Sequence, residues 1–458
     1  MSGCIHSRFL QYPLYLGYAA CALLSACEQS SGPDSPQYAP HAQPAEIVVH
    51  CGRLIDGLSD EPRLNQSIHI RGDRIVRIEA QDAAPPPTSQ AVTHDLTAFT
   101  CLPGLINTHV HFDGNPEDSL DYSVYARRTA DETLQLILDN ARTTLLTGFT
   151  TVRHVGAWFP DTVYRARELI EKGQAPGPRI QTAGPYLTIP GGGGDLTFPE
   201  IPAEDIPAES QQGIASTPEE FAARAEAAIA AGADFLKVIA SGAVFSVGIV
   251  PGAPEMTRAD IEAVVAVAKR HGKKVTAHVH SDQSGQDAIR AGVDSLEHAS
   301  LLKESTIDLA AERGVAFSMD VYNGTYTDTI GREQGYPDVF LQRNTDTTEA
   351  QRVVFEKAYE KGVTLLYGTD AAVLPHDMGG WQFATMVERG MRPIDAIRSA
   401  TSVAAEHMGL SADVGAVAPG KLADLIAVRG DPLADAEILR DVTVVIQAGV
   451  IIKAPATD

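Results

Sequence analysis

Eight short apolar segments recur through the middle of the chain, and their alternation with helix-like stretches constrains the fold more than any other feature. They are residues 105–111, 150–155, 179–186, 235–240, 274–280, 295–298, 316–321 and 364–370, with amphipathic helical patterns at 217–231, 258–271 and 348–361 among the intervening stretches. A strand followed by a helix implies parallel neighbours, because a parallel pair needs a long crossover. Eight such units predict a closed (β/α)8 barrel, with its reactive groups at the carboxyl ends of the strands. An open doubly wound sheet would need a Gly-x-Gly-x-x-Gly turn after an early strand, and the run Gly191 to Gly194 lacks that spacing.

Short alternating strands flank the repeats: 47–49, 68–70 and 75–78 before them, 424–428, 444–446 and 450–452 after them. Neither set makes a stable sheet alone, so the two are expected to form one small β-sandwich where the ends of the mature chain meet. The expected boundaries are sandwich over 46–102 and 411–458 and barrel over 103–410. Ahead of them, the apolar stretch 14–24 ends in Leu24-Ser25-Ala26-Cys27, which is too short to span a bilayer and resembles a bacterial lipoprotein signal. Residues 1–27 are therefore expected to direct export, with Cys27 acylated as a membrane anchor in the periplasm, and the Ser-, Pro- and Gln-rich stretch 28–45 to act as a tether.

A formal charge of −23 excludes nucleic acid as an expected partner, since phosphate binding needs clustered cations. With the signal removed, Cys51 and Cys101 are the thiols left besides Cys27. An oxidising compartment permits a bridge between them, but two small buried residues is the preferred reading, because the sequence does not place their Cα atoms within reach. The absence of any Cys-x-x-Cys pair argues against cysteine-based zinc or redox chemistry.

The strand ends carry the chemistry. His109 and His111 are two residues apart, so in an extended strand their imidazoles share one side. Lys237 lies in the fourth strand, His278 and His280 in the fifth, His298 at the end of the sixth, and Asp370 at the end of the eighth. Any one of these residues could be ordinary core or cap. Together, on one face of a barrel, the mixture of imidazole and carboxylate predicts a metal site.

With His-x-His, Lys, His, His and Asp in this order, the chain resembles the amidohydrolase superfamily over nearly its whole mature length. Phe235-Leu236-Lys237-Val238-Ile239-Ala240-Ser241-Gly242 and Gly368-Thr369-Asp370-Ala371 are similar to the branch that cleaves amide bonds of dipeptides and N-acyl amino acids, the Xaa-Pro dipeptidase-like and ochratoxin A-hydrolysing enzymes. The resemblance implies that His109, His111 and Asp370 hold one divalent metal and His278 and His298 another, with zinc the default, and that Lys237 bridges them as its CO2-derived carbamate. A buried lysine loses its proton more readily, and the neutral amine can capture CO2 to become an anionic oxygen ligand. Two such ions would acidify a bridging water and polarise the scissile carbonyl. Asp370 would accept the proton of that water.

The expected substrate is a small amide or dipeptide whose free carboxylate is held by His154, His280, Tyr322 or Arg153. The alternatives are a cyclic amide, lactone or phosphotriester on the same scaffold, or a metal-bearing binding lipoprotein without catalysis. The segments 188–217 and 322–346 are expected as lids, and a homo-oligomer is expected. Where the family often has a histidine in its glycine run, this chain has Gly191-Gly192-Gly193-Gly194-Asp195.

Overall fold

The computed structural model describes residues 46–83, 91–198, 201–245 and 250–455. The expected signal, its Cys27 and the tether lie outside the described residues. Among those described, no helix is long and apolar enough to cross a membrane.

Both flanks enter one seven-stranded sheet. The strands before the barrel are β1 (Ile47–Leu54), β2 (Arg63–Arg71), β3 (Arg74–Ala80) and β4 (Val92–Pro103). The barrel strands are β5 (Leu105–Val110), β6 (Phe149–His154), β7 (Arg179–Thr182), β8 (Tyr186–Leu187), β9 (Leu236–Ile239), β10 (Val275–Val279), β11 (Ser295–His298), β12 (Ala316–Met319) and β13 (Leu365–Tyr367). After the barrel come β14 (Leu425–Arg429), β15 (Val444–Gln447) and β16 (Val450–Lys453).

The order in the flanking sheet is β16-β15-β14-β4-β1-β2-β3. Strand β4, which the sequence pattern does not single out, joins the halves: it pairs with β1 in parallel and with β14 antiparallel, then runs into β5. Alternate residues of both halves, such as Val49, Ile68, Leu425 and Ile446, share one buried core. Cys51 and Cys101 face that core with Cα atoms 6.0 Å apart and form a disulfide, which corrects the preference for two free buried thiols. Closing a loop of this length restricts the unfolded chain, so Cys51→Ala is expected to cost ~2–4 kcal/mol, read as a lower urea midpoint. An unchanged midpoint would show that the bridge adds nothing.

The (β/α)8 barrel forms as the alternation predicts, with one break. Its third strand splits at Ala183-Gly184-Pro185: β7 pairs with β6, and β8 pairs with β9. The hydrogen-bond ladders therefore fall into a three-stranded and a six-stranded sheet. They meet through the Asp234 amide, which donates to the Thr182 carbonyl at 2.8 Å, and at the far edge through the Asp370 amide, which donates to the His109 carbonyl at 2.9 Å. Asn107 reinforces the second junction. Its Oδ1 accepts from the amides of His109 (3.1 Å) and Thr369 (3.2 Å), and its Nδ2 donates to the Thr369 hydroxyl at 2.7 Å. Gly368 lets these strands approach, because a Cβ there would lie 2.9 Å from that of His109.

Helices Pro218–Ala231 and Arg258–Arg270 fall where expected, each capped by the preceding threonine hydroxyl. Helix Asp338–Glu360 begins ten residues before the pattern suggested. The segment expected as a second lid is thus largely helical.

Candidate active site

The strand ends bring His109, His111, Lys237, His278, His298 and Asp370 around one cavity of about 140 Å³. Two of these residues adopt left-handed backbone, His298 with φ 65° and Asp370 with φ 53°. Such conformations are costly for residues with a Cβ and persist where the surroundings enforce them. At the end of β11 the turn breaks strict alternation, so that both Glu297 and His298 serve the site.

Three of the imidazoles are each oriented by a partner on Nδ1. His109 Nδ1 lies 2.7 Å from Glu297 Oε2, His298 Nδ1 is 2.9 Å from Asp320 Oδ1, and His111 Nδ1 is 3.0 Å from the Gly156 carbonyl. Their Nε2 atoms turn inward, and Asp370 Oδ1 lies 3.2 Å from that of His109 and 3.5 Å from that of His111. The partners are themselves braced. Glu297, fully buried, also accepts from Arg153 and the Thr276 hydroxyl, while Asp320 accepts from Gln351 (2.7 Å) and Asn323 (2.9 Å).

Burial holds His278 well below the ordinary imidazole range and pushes His111 down to about 3, so both are neutral and have a lone pair to offer. Burial alone would lower His109 too, but Asp370 and Glu297 hold it above the ordinary value. The negative field that favours a proton there favours a cation equally. Against burial, which acts upward, His109, His298 and His111 hold the Asp370 carboxyl well below the usual carboxylate range.

The donors fit a metal. His278 Nε2 is buried with no hydrogen-bond partner among the described residues, an orphan a cation would satisfy. Two sets of ligand atoms, His109-His298-Asp370 and His278-His280-His298, each lie within 4.8 Å. Lys237 is 1 % exposed and has no ion-pair partner among the described residues; burial lowers its amine to about 8.

The amidohydrolase family model matches residues 100–453. The chain belongs to the amidohydrolase family. It is a hydrolase of amide bonds that uses divalent metal. The amidohydrolase is 28 % identical to the ochratoxinase of Aspergillus niger over 440 residues, 89 % of this chain and 87 % of that one. A Xaa-Pro dipeptidase structure with methionine in its active site superposes with a TM-score of 0.83 at 32 % identity, covering 89 % of this chain and 100 % of that chain. A prolidase complexed with N-methylphosphonate-L-proline superposes at 0.81 with 25 % identity, covering 89 % and 100 %.

The residues expected to hold a substrate carboxylate lie elsewhere in the amidohydrolase, with one exception. Arg153 points into the barrel beneath the cluster, where it pairs with Glu297 and donates from Nε to the Thr108 carbonyl at 2.7 Å, so it braces the ligands rather than lining the cavity. Tyr322 packs on Trp381 at a separate cavity with Arg440. His154 is wholly buried behind His111, its Nε2 accepting from the Phe112 amide at 3.0 Å. Of the four, His280 alone borders a cavity that the cluster shares, a second space of about 110 Å³ also lined by His278, His298 and Asp370.

Glu297, Asp320 and Tyr186, whose hydroxyl lies 2.9 Å from His111 Nδ1, were not foreseen. Only Glu297 left a signal, as a carboxylate inside an apolar strand. Glu297→Gln keeps the shape but weakens the acceptor on His109, so metal affinity is expected to fall ~10–100-fold by chelator competition. Affinity within twofold of the parent would assign Glu297 to packing.

Proposed function

We propose that this amidohydrolase cleaves the amide bond of a dipeptide or N-acyl amino acid, using two divalent metals, zinc by default, held by His109, His111, His278, His298 and Asp370 with Lys237 as a carbamate between them. The observation that carries the reading is Lys237: a lysine 1 % exposed, without a carboxylate partner among the described residues, amid four ligand histidines. As an ammonium it would be a desolvated charge on which Glu297 and Asp370 act only from beyond ion-pair distance, whereas as a carbamate it would supply the anionic oxygens that cations require. When bound, the metals would acidify water and polarise the carbonyl.

The chain's own residues do the rest. Asp370, held ionised, accepts the proton of the attacking water and returns it to the leaving nitrogen. Glu297 and Asp320 fix the rings of His109 and His298, so that no reorganisation is needed as charge develops. His280 carries a ring stacked 4.8 Å from that of His298 and held by Ser300, and it faces the smaller cavity, where it can contact the far end of a substrate. The test is a panel of dipeptides, N-acyl amino acids, lactones and phosphotriesters assayed on protein of known metal content. Turnover of linear amides above the others is expected; preference for lactones or phosphotriesters would overturn the assignment.

We further propose that the enzyme works outside the cytosol, anchored by lipid on Cys27. Supporting this are the Leu24-Ser25-Ala26-Cys27 ending and the Cys51–Cys101 disulfide, which suits an oxidising compartment. Cys27→Ala should move the protein from the membrane fraction to the soluble one, and unprocessed cytoplasmic protein would contradict it.

A further inference from the structure

The second cavity, of about 110 Å³, adjoins the reactive cluster, since His278, His298 and Asp370 line both spaces. Ala243, Phe245 and Val373 also line both, so the passage between the two is apolar on one side. Beyond that neck the surface turns polar, with Asn323, Thr327, Thr347 and Thr348, and it holds no Lys or Arg.

Two buried atoms of this side chamber, Asn323 Oδ1 and Thr327 Oγ1, have no hydrogen-bond partner among the described residues. Leaving such atoms unbonded is costly, so each calls for a partner that enters from the chamber. The Asn323 amide cannot turn its oxygen away. Its Nδ2 donates to Asp320 Oδ2 at 2.9 Å, and a carboxylate only accepts, so Oδ1 is fixed as a free acceptor. Thr327, wholly buried, opens a π-helical turn, Thr327–Gly331, a form that recurs at functional sites. Gly324 lets this segment lie against helix Asp338–Glu360, because a Cβ there would collide with the Thr348 side chain. From that helix the Thr347 hydroxyl donates to the Arg343 carbonyl at 2.8 Å and the Thr348 hydroxyl to the Asn344 carbonyl at 2.6 Å. With their protons spent, both hydroxyls offer the chamber lone pairs.

The chamber therefore presents several acceptors and one hydroxyl donor, Thr327. A primary carboxamide matches this set: its NH2 has two protons to give, and its carbonyl takes the Thr327 proton. A carboxylate brings no proton and meets no cation there. An ammonium finds no free counter-charge, since Asp320 is engaged by His298, Gln351 and Asn323, and Asp370 by His109.

We propose that the side chamber is a subsite for a carboxamide side chain, so that the preferred substrate carries glutamine or asparagine beside the scissile amide. The proposal rests on the amide-hydrolase reading above. The apolar neck takes the methylene stem and the polar end takes the amide. Thr327, Thr347 and Thr348 have no part in the reaction as derived.

Two measurements on the metal-loaded full chain test it. The first compares kcat/KM for dipeptides that place Gln, Glu, Met or Lys before or after alanine. In at least one of the two series Gln should exceed the similarly sized Met and Glu by at least ~10-fold, and Thr327→Val should shrink the Gln to Met ratio below ~3-fold. That variant keeps the shape and removes a hydroxyl bonded to nothing in the free protein, so Met turnover, metal content and Tm should not fall. A ratio near one in the parent, or a preference for Glu or Lys, would leave the chamber to ordered water or another ligand and overturn the subsite. A lower Tm with the ratio unchanged would make the Thr327 hydroxyl structural and overturn it too. The second measurement is thermal protection by free L-glutamine against L-methionine. Glutamine should raise the Tm of the parent and not that of Thr327→Val. If no amide is cleaved yet glutamine protects only the parent, the subsite stands and the reaction assignment fails. If amides are cleaved without regard to the side chain and glutamine gives no protection, the subsite is wrong and the reaction assignment stands.

Discussion

Lys237→Ala is expected to lose bound metal and turnover together, with kcat down by at least ~1000-fold, because metal activation of water supplies several kcal/mol of the barrier at ~1.4 kcal/mol per decade. The side chain is buried in β9 and lines the cavity with the clustered histidines. A short carboxylic acid that fits the space left by the side chain should restore part of both metal and activity. The parent protein offers a pH test as well. Burial lowers the Lys237 amine to about 8, and only the neutral form captures CO2. Metal-free protein should therefore take up CO2 faster as pH rises towards 8, then level off above it, when followed by the mass gained. Full occupancy and turnover in the alanine variant would remove Lys237 from the site.

Asp370→Asn should lower kcat by ~100–10,000-fold, the range of a lost general base, while leaving the fold intact. The amide keeps the shape of the carboxylate, and the backbone at φ 53° suits asparagine, which tolerates the left-handed region. Metal content must be measured beside the rate, since Asp370 also contacts His109 and His111. A rate loss exceeding the metal loss identifies the proton-transfer role. A drop under tenfold in fully loaded protein would place that role elsewhere.

The barrel and the convergence of the candidate ligands on one cavity were legible because both are periodic signals: alternation of strand and helix for the fold, and strand placement for the histidines, Lys237 and Asp370. The His109-x-His111 spacing carries over directly, with both Nε2 atoms near the same Asp370 oxygen. What failed depended on distances across the barrel. Arg153 and His154 sit at a strand end like the ligands, yet Arg153 is drawn into the interior by Glu297, 144 residues away, and His154 is spent on the Phe112 amide. Tyr322 turns towards Trp381 instead of the cluster. Strand β4 was missed because its first half is largely exposed and lacks clean alternation, and with it the neighbour relation that brings Cys101 to Cys51. The side chamber draws on residues 280, 300, 323, 327 and 348, which share no spacing and meet only because segments after successive strands converge there.

The most direct test of a paired-metal site built on Lys237 is stepwise reconstitution. Protein stripped by a chelator is titrated with zinc, with dissolved CO2 either present or removed, and amide hydrolysis is followed. Activity should rise until two equivalents per chain are bound and should need CO2. Full activity at one equivalent, or reconstitution indifferent to CO2, would contradict it.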